Sequence, residues 1–213
     1  MPRRRSRRLS DASPEHSPLP EDFFARGAVD VARELLGRWV IRDESGELLA
    51  GRIVEVEAYL GQDDPASHAY RGPSRRNQSM FGPAGRAYVY TIHTRFCMNA
   101  VTGEDGVASA VLIRALEPLL GLEQMAQRRG TDKPRDLMRG PGRLCEALGI
   151  DRAWDGWNLT TGEQLWIAAG DGSVSPESIV VTPRIGISTA TDWPLRFALR
   201  GSLYVSGPKR LRE

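Results

Sequence analysis

Glu55, Glu57 and Tyr59 occupy alternate positions in the segment RIVEVEAYLG, residues 52–61. A carboxylate on a rigid strand, with an aromatic two residues on, is a candidate general base. The matching chemistry is hydrolysis of a glycosidic bond, where a carboxylate activates water against an oxocarbenium-like centre. Period two across residues 48–59 puts Glu55, Glu57 and Tyr59 on one face and Val54, Val56 and Ala58 on the other. This pattern does not separate the two glutamates, and alternating glutamates on a strand usually mark its solvent face.

Other candidates lie in the next fifty residues. His68 falls in a polar stretch, 61–86, too long for an idle loop in a compact domain; it could hydrogen-bond a ligand or orient the base. His93 lies at a predicted hairpin tip, as a wedge, a phosphate contact or a solvated turn residue. His16 suggests no specific role. Tyr59, Tyr70, Tyr88 and Tyr90 interleave with Arg71, Arg75, Arg76, Arg86 and Arg95. Aromatics on strands suit a core, but stacking platforms beside cations also suit an extruded nucleobase. Neither the histidines nor Cys97 and Cys145 have metal-ligand spacing, and Asp63-Asp64 lacks a calcium-loop pattern. No metal and no cofactor is expected. Gly140-Pro141-Gly142 could cradle a phosphate or simply turn the chain into a helix.

The elements that must hold these residues read as follows. An amphipathic helix is expected over 22–36, weakened at Gly27. Strands are expected over 38–42 and 48–59, joined through Ser45-Gly46. Residues 87–92 and 96–101 form a hairpin turning at 93–95. A strand over 108–115 precedes a helix over 116–127. A loop and short helix fall within 137–148, and late strands over 165–168, 179–187 and 197–205.

At 213 residues, the chain suits one domain with a real core. No apolar run could span a bilayer, and the basic N-terminus lacks the apolar segment of a secretory signal, so a cytoplasmic location is expected. Net charge is only +2, yet Lys133 and Lys209 are the only lysines among 29 basic residues. Such an arginine bias suits phosphate contacts, although a GC-rich genome produces it too. Residues 1–19, with Arg3, Arg4, Arg5, Arg7 and Arg8, read as a disordered basic arm, either touching phosphates or merely solvated.

The motifs taken together carry a resemblance. RIVEVEAYLG is followed by His68, RNQSMF (76–81), YVY (88–90), FCMN (96–99) and LIRALEP (112–118), then RGPGRLC (139–145) and PLRF (194–197). In this order they resemble the alkyladenine (3-methyladenine/methylpurine) DNA glycosylase family, over roughly residues 20–206. The resemblance implies a single mixed α/β (α+β) domain, here 20–213, around a curved antiparallel sheet with a protruding DNA-binding hairpin. It implies a monomer that flips damaged purines out of double-stranded DNA and hydrolyses the N-glycosidic bond without metal or redox cofactor. By resemblance, Glu57 is the water-activating base and Arg114 helps hold the water or the nearby backbone. Tyr59, His68 and Tyr90 form the base pocket, Asn99 crowds a 2-amino group, and Ile187 is an apolar pocket position. His93, Arg95 and Arg76 face DNA. A tyrosine wedge of the mammalian pattern is replaced here by His93. A Schiff base needs an amine, and both lysines lie far in sequence from these motifs, so no strand cleavage is expected. The alternatives are a non-catalytic damage binder and a nucleoside hydrolase; Glu57 speaks against the first, the basic arm and arginine-rich hairpin against the second.

Overall fold

The computed structural model describes residues 16–207. Within these residues eight strands form one antiparallel sheet: β1 Trp39–Glu44, β2 Glu47–Tyr59, β3 Ala87–Ile92, β4 Arg95–Thr102, β5 Ser109–Leu120, β6 Leu165–Ala168, β7 Ile179–Thr182 and β8 Arg196–Leu199. The order is β3-β4-β5-β2-β1-β6, with β8 on β2 and β7 on β8. Among the described residues, five α-helices accompany it: α1 Glu21–Phe24, α2 Ala28–Leu35, α3 Leu122–Arg129, α4 Pro134–Leu137 and α5 Pro141–Leu148. The expected mixed α/β domain around an antiparallel sheet is what forms.

Thirteen-residue β2 is the spine. It pairs along one edge with β5, and along the other first with β1 and then, at Glu55–Glu57, with β8. The β1–β2 turn is Ser45-Gly46, both at positive φ (58° and 97°), as a two-residue hairpin requires. Val54, Val56 and Ala58 join the core with Val31, Ala32 and Leu35 of α2. The opposite face is not solvent: Glu55 and Glu57 are each 0% exposed. Between β2 and β5 the register slips on both sides of Glu55, so that Val54 and Arg114 have no partner residue opposite. Bulges of this kind bend strands and re-aim side chains; here one of the re-aimed residues is Arg114.

Four expectations are corrected. The helix over 22–36 is two helices, broken before Gly27, whose ψ of 136° is extended. Residues 116–120 extend β5 instead of starting a helix; Pro118 would break a helix but is tolerated at the slip between Ala50 and Gly51. The late strands are shorter: β7 stops before Pro183, and β8 before the turn at Gly201, whose φ is 72°. Of the arm expected over 1–19, residues 1–15 lie outside the described residues, but 16–19 pack on the domain. Leu19 is buried and its amide donates to Ile167 O at 2.8 Å, while Trp166 Nε1 donates to His16 O at 2.8 Å.

Gly121 makes the strand-to-helix corner with φ 75°, and a Cβ there would sit 2.8 Å from Leu49 Cγ. Gly121→Ala should therefore cost roughly 1–3 kcal/mol from backbone strain and overpacking, read as a lowered thermal midpoint.

Candidate active site

A cavity of about 830 Å³ opens beside the exposed end of the β3–β4 hairpin. Tyr59, His68, Tyr90, His93, Asn99, Arg114 and Ile187 all line it. Glu57 lies just behind this lining. Its Oε1 is ion-paired with Arg114 Nη1 at 3.1 Å and accepts from the Ile185 amide at 2.8 Å; its Oε2 accepts from the Tyr59 hydroxyl at 2.9 Å.

Glu55 is built differently. Its Oε1 accepts from Arg114 Nε (3.0 Å), Arg196 Nε (2.7 Å) and Ser206 Oγ (2.8 Å), and its Oε2 from the Ser206 amide (2.6 Å). Strands β5 and β8 and the C-terminal segment thus hold Glu55 with four hydrogen bonds, while Glu57 borders the cavity. Two carboxylates and two guanidiniums balance in charge, which is how buried ions are tolerated. Burial alone would lower the Arg114 pKa; the charges of Glu57 and Glu55 outweigh it and hold the guanidinium above its ordinary value.

The aromatic wall has its own supports. Tyr88 and Tyr90 stack with centroids 5.4 Å apart, and His68 meets Tyr90 edge-on at 4.5 Å. Tyr88 Oη lies 2.8 Å from His68 Nδ1. Asn77, buried within the RNQSMF motif, donates to His68 O at 2.7 Å and to Gly72 O at 3.1 Å, tying the long loop in place. Asn99 Nδ2 donates to Tyr88 O at 2.9 Å. Burial, with the negative charge of Glu57 for Tyr59, pushes the Tyr59 and Tyr90 phenols above their ordinary range, and burial does the same for Tyr88. All three are neutral at physiological pH. Burial of the His68 ring holds its pKa below the usual 6.5, which favours the neutral imidazole.

His93 is exposed on the rim with φ 54° at the hairpin turn. Arg76 is exposed in the long loop and does not line the cavity. Arg95 is the first residue of β4, beside the hairpin turn, and pairs with Glu146 of α5 at 2.8 Å. Pro141, at the start of α5, also lines the cavity. Lys133 precedes α4 and is not a lining residue; Lys209 lies outside the described residues. The sequence did not single out the Ile185 amide, since any residue type supplies one, nor the buried pair Asp64–Arg184 or the lining residues Met80 and Cys97. Among the described residues, no helix is long and apolar enough to cross a membrane.

Comparison with known proteins fits this geometry. The methylpurine-DNA glycosylase family model matches residues 22–203. Similar chains include proteins that carry the provisional name 3-methyladenine DNA glycosylase. That of Methanoculleus marisnigri is 52% identical, over 88% of this chain and 98% of its own. Those of Carboxydothermus hydrogenoformans (49%; 88% and 98%) and Burkholderia lata (50%; 89% and 91%) are nearly as close. The match runs from within α1 through β8, including both strands that carry the Glu57–Arg114 contact, and the chain therefore belongs to the methylpurine-DNA glycosylase family.

Proposed function

We propose that this protein, acting as a monomer, flips damaged purines of the 3-methyladenine, hypoxanthine and ethenoadenine class out of double-stranded DNA and hydrolyses their N-glycosidic bond. The family supplies the DNA glycosylase activity. The observation that carries the finer reading is Glu57: a buried carboxylate directly behind the Tyr59 and Arg114 walls of the cavity.

On Glu57, Oε1 accepts from the Ile185 amide and is ion-paired with Arg114, while Oε2 accepts only from the Tyr59 hydroxyl, leaving a lone-pair site on Oε2. A water admitted from the cavity between Tyr59 and Arg114 gives its proton to that site. Its oxygen bonds to C1′ of the flipped nucleotide, and the glycosidic electron pair leaves with the purine. An N-alkylated purine is cationic, so it is attracted to the faces of the neutral tyrosines and departs as a neutral base without acid assistance. In the tautomer in which Tyr88 donates to Nδ1, His68 presents Nε2–H to an acceptor on the purine. The fixed Asn99 amide crowds a 2-amino group and disfavours guanine.

Duplexes bearing 3-methyladenine, hypoxanthine or ethenoadenine should yield abasic sites seen as alkali-dependent breaks. Breaks without alkali are not expected, because no lysine among the described residues lines the cavity. Release from none of the three duplexes would overturn the reading.

In this reading His93, exposed at the hairpin turn, fills the gap left by the flipped nucleotide. Loss of one stacking side chain is worth about 1–3 kcal/mol, so His93→Ala should weaken binding to a lesion duplex by roughly tenfold or more. His93→Tyr should tighten it. Titration of both variants against wild type checks the assignment.

A further inference from the structure

We propose that Arg184, locked by Asp64, is a positioning residue for the catalytic site, an inference that rests on reading Glu57 as the base. Both side chains are 0% exposed. The guanidinium holds Asp64 bidentately, with Nη2–Oδ1 at 2.8 Å, and Nη1 also donates to Ala58 O at 3.1 Å. Its Cζ lies 4.6 Å from the Tyr59 ring centroid. Asp64 in turn accepts from the amides of Leu60 (3.2 Å) and Ala66 (3.0 Å). Three segments therefore meet at one ion pair: the end of β2, the loop that leads to His68, and residues 184–189.

The consequence lies one residue along. The Ile185 amide, directly after Arg184, donates to Glu57 Oε1 at 2.8 Å. Residues 185–189 form one side of the cavity, and their far end is tied by Thr189 Oγ1 to Pro65 O at 3.0 Å. Arg184 touches neither the cavity nor the reacting atoms, yet it fixes the Tyr59 ring and the amide that orients Glu57. Stability alone does not demand such a pair, since apolar residues of similar volume commonly replace buried ion pairs without loss. Apolar side chains, however, could not hold the Ala58 carbonyl and the Leu60 and Ala66 amides at once. Burying the Arg184 Nε without a partner is a further cost that the arrangement tolerates.

The test uses Asp64→Asn/Arg184→Met, which removes both charges together, and Arg184→Lys, which keeps a charge but loses the bidentate fork. Each is compared with wild type and Glu57→Gln for single-turnover hypoxanthine release, affinity for a duplex carrying a stable abasic analogue, and thermal midpoint. Displacing a catalytic group by about 1 Å costs about 10²-fold. The double variant should lose about that in rate while binding the abasic analogue within about threefold of wild type; Arg184→Lys should recover part of the rate. A double variant releasing base within about threefold of the wild-type rate would overturn the proposal. So would parallel losses of rate, binding and thermal midpoint in both variants, which mark a merely structural role. If the double variant does not fold, Arg184→Lys decides: about a tenfold rate loss with binding kept supports the proposal, and a wild-type rate overturns it. A wild-type protein that releases no base, or a Glu57→Gln variant as fast as wild type, would instead remove the reading of Glu57 and this inference with it.

Discussion

Glu57→Gln is expected to lower the single-turnover rate of base release by about 10²–10⁴-fold, the usual contribution of a positioned general base. The amide is isosteric, and its oxygen can still accept from the Ile185 amide, whose bond to Glu57 measures 2.8 Å. Its nitrogen can donate to the Tyr59 hydroxyl. Arg114 keeps its bond to Glu55 at 3.0 Å. Folding and binding to a lesion duplex should therefore persist, with chemistry lost, which is the signature of a group used mainly in the transition state. Equal losses of binding and rate would assign Glu57 a structural role instead.

Glu55→Gln is expected to do the reverse. Glu55 is the acceptor that holds Arg114, Arg196 and both the amide and hydroxyl of Ser206. Removing its charge leaves Arg196, 2% exposed, without its carboxylate and Arg114 with only Glu57. Breaking a buried pair from one side costs about 3–5 kcal/mol. For a domain of this size, 1 kcal/mol moves the thermal midpoint by about 2–4 °C, so the midpoint should fall by roughly 6–20 °C. The base-release rate of the fraction still folded, measured well below the midpoint, should fall far less than in Glu57→Gln. A Glu55→Gln protein as stable as wild type but inactive would exchange the roles of the two glutamates.

The alternation in RIVEVEAYLG correctly placed Glu55, Glu57 and Tyr59 together, because side-chain period is a local property of a strand. It could not show that this face is covered, since the cover comes from Arg114, Arg196 and Ser206, up to 151 residues away. Telling Glu57 from Glu55 in physical terms also needs those partners. The helix expected over 116–127 failed for a similar reason: Leu116, Leu119 and Leu120 have helical spacing, but pairing with β2 overrides it and a bulge accommodates Pro118. Gly27 was legible as a weak point and proved to be a break. The cavity's side chains come from motifs far apart in the chain, so spacing alone could not show their convergence; the family resemblance implied it for Tyr59, His68, Tyr90, Asn99 and Ile187, and Met80 and Cys97 went unnoticed. The Asp64–Arg184 pair, separated by 120 residues, left no local signal.

The central claim is that Glu57 aims water at C1′ of a flipped purine nucleotide. Its most direct test is a crystal structure with a duplex whose lesion nucleotide carries a 2′-fluorine to slow hydrolysis. The account predicts the purine inside the cavity against Tyr59, His68 and Tyr90, and an ordered water within hydrogen-bond distance of Glu57 Oε2 on the face of C1′ opposite the purine. A base left stacked in the duplex, or a flipped base with C1′ remote from Glu57 and no water between them, would contradict it.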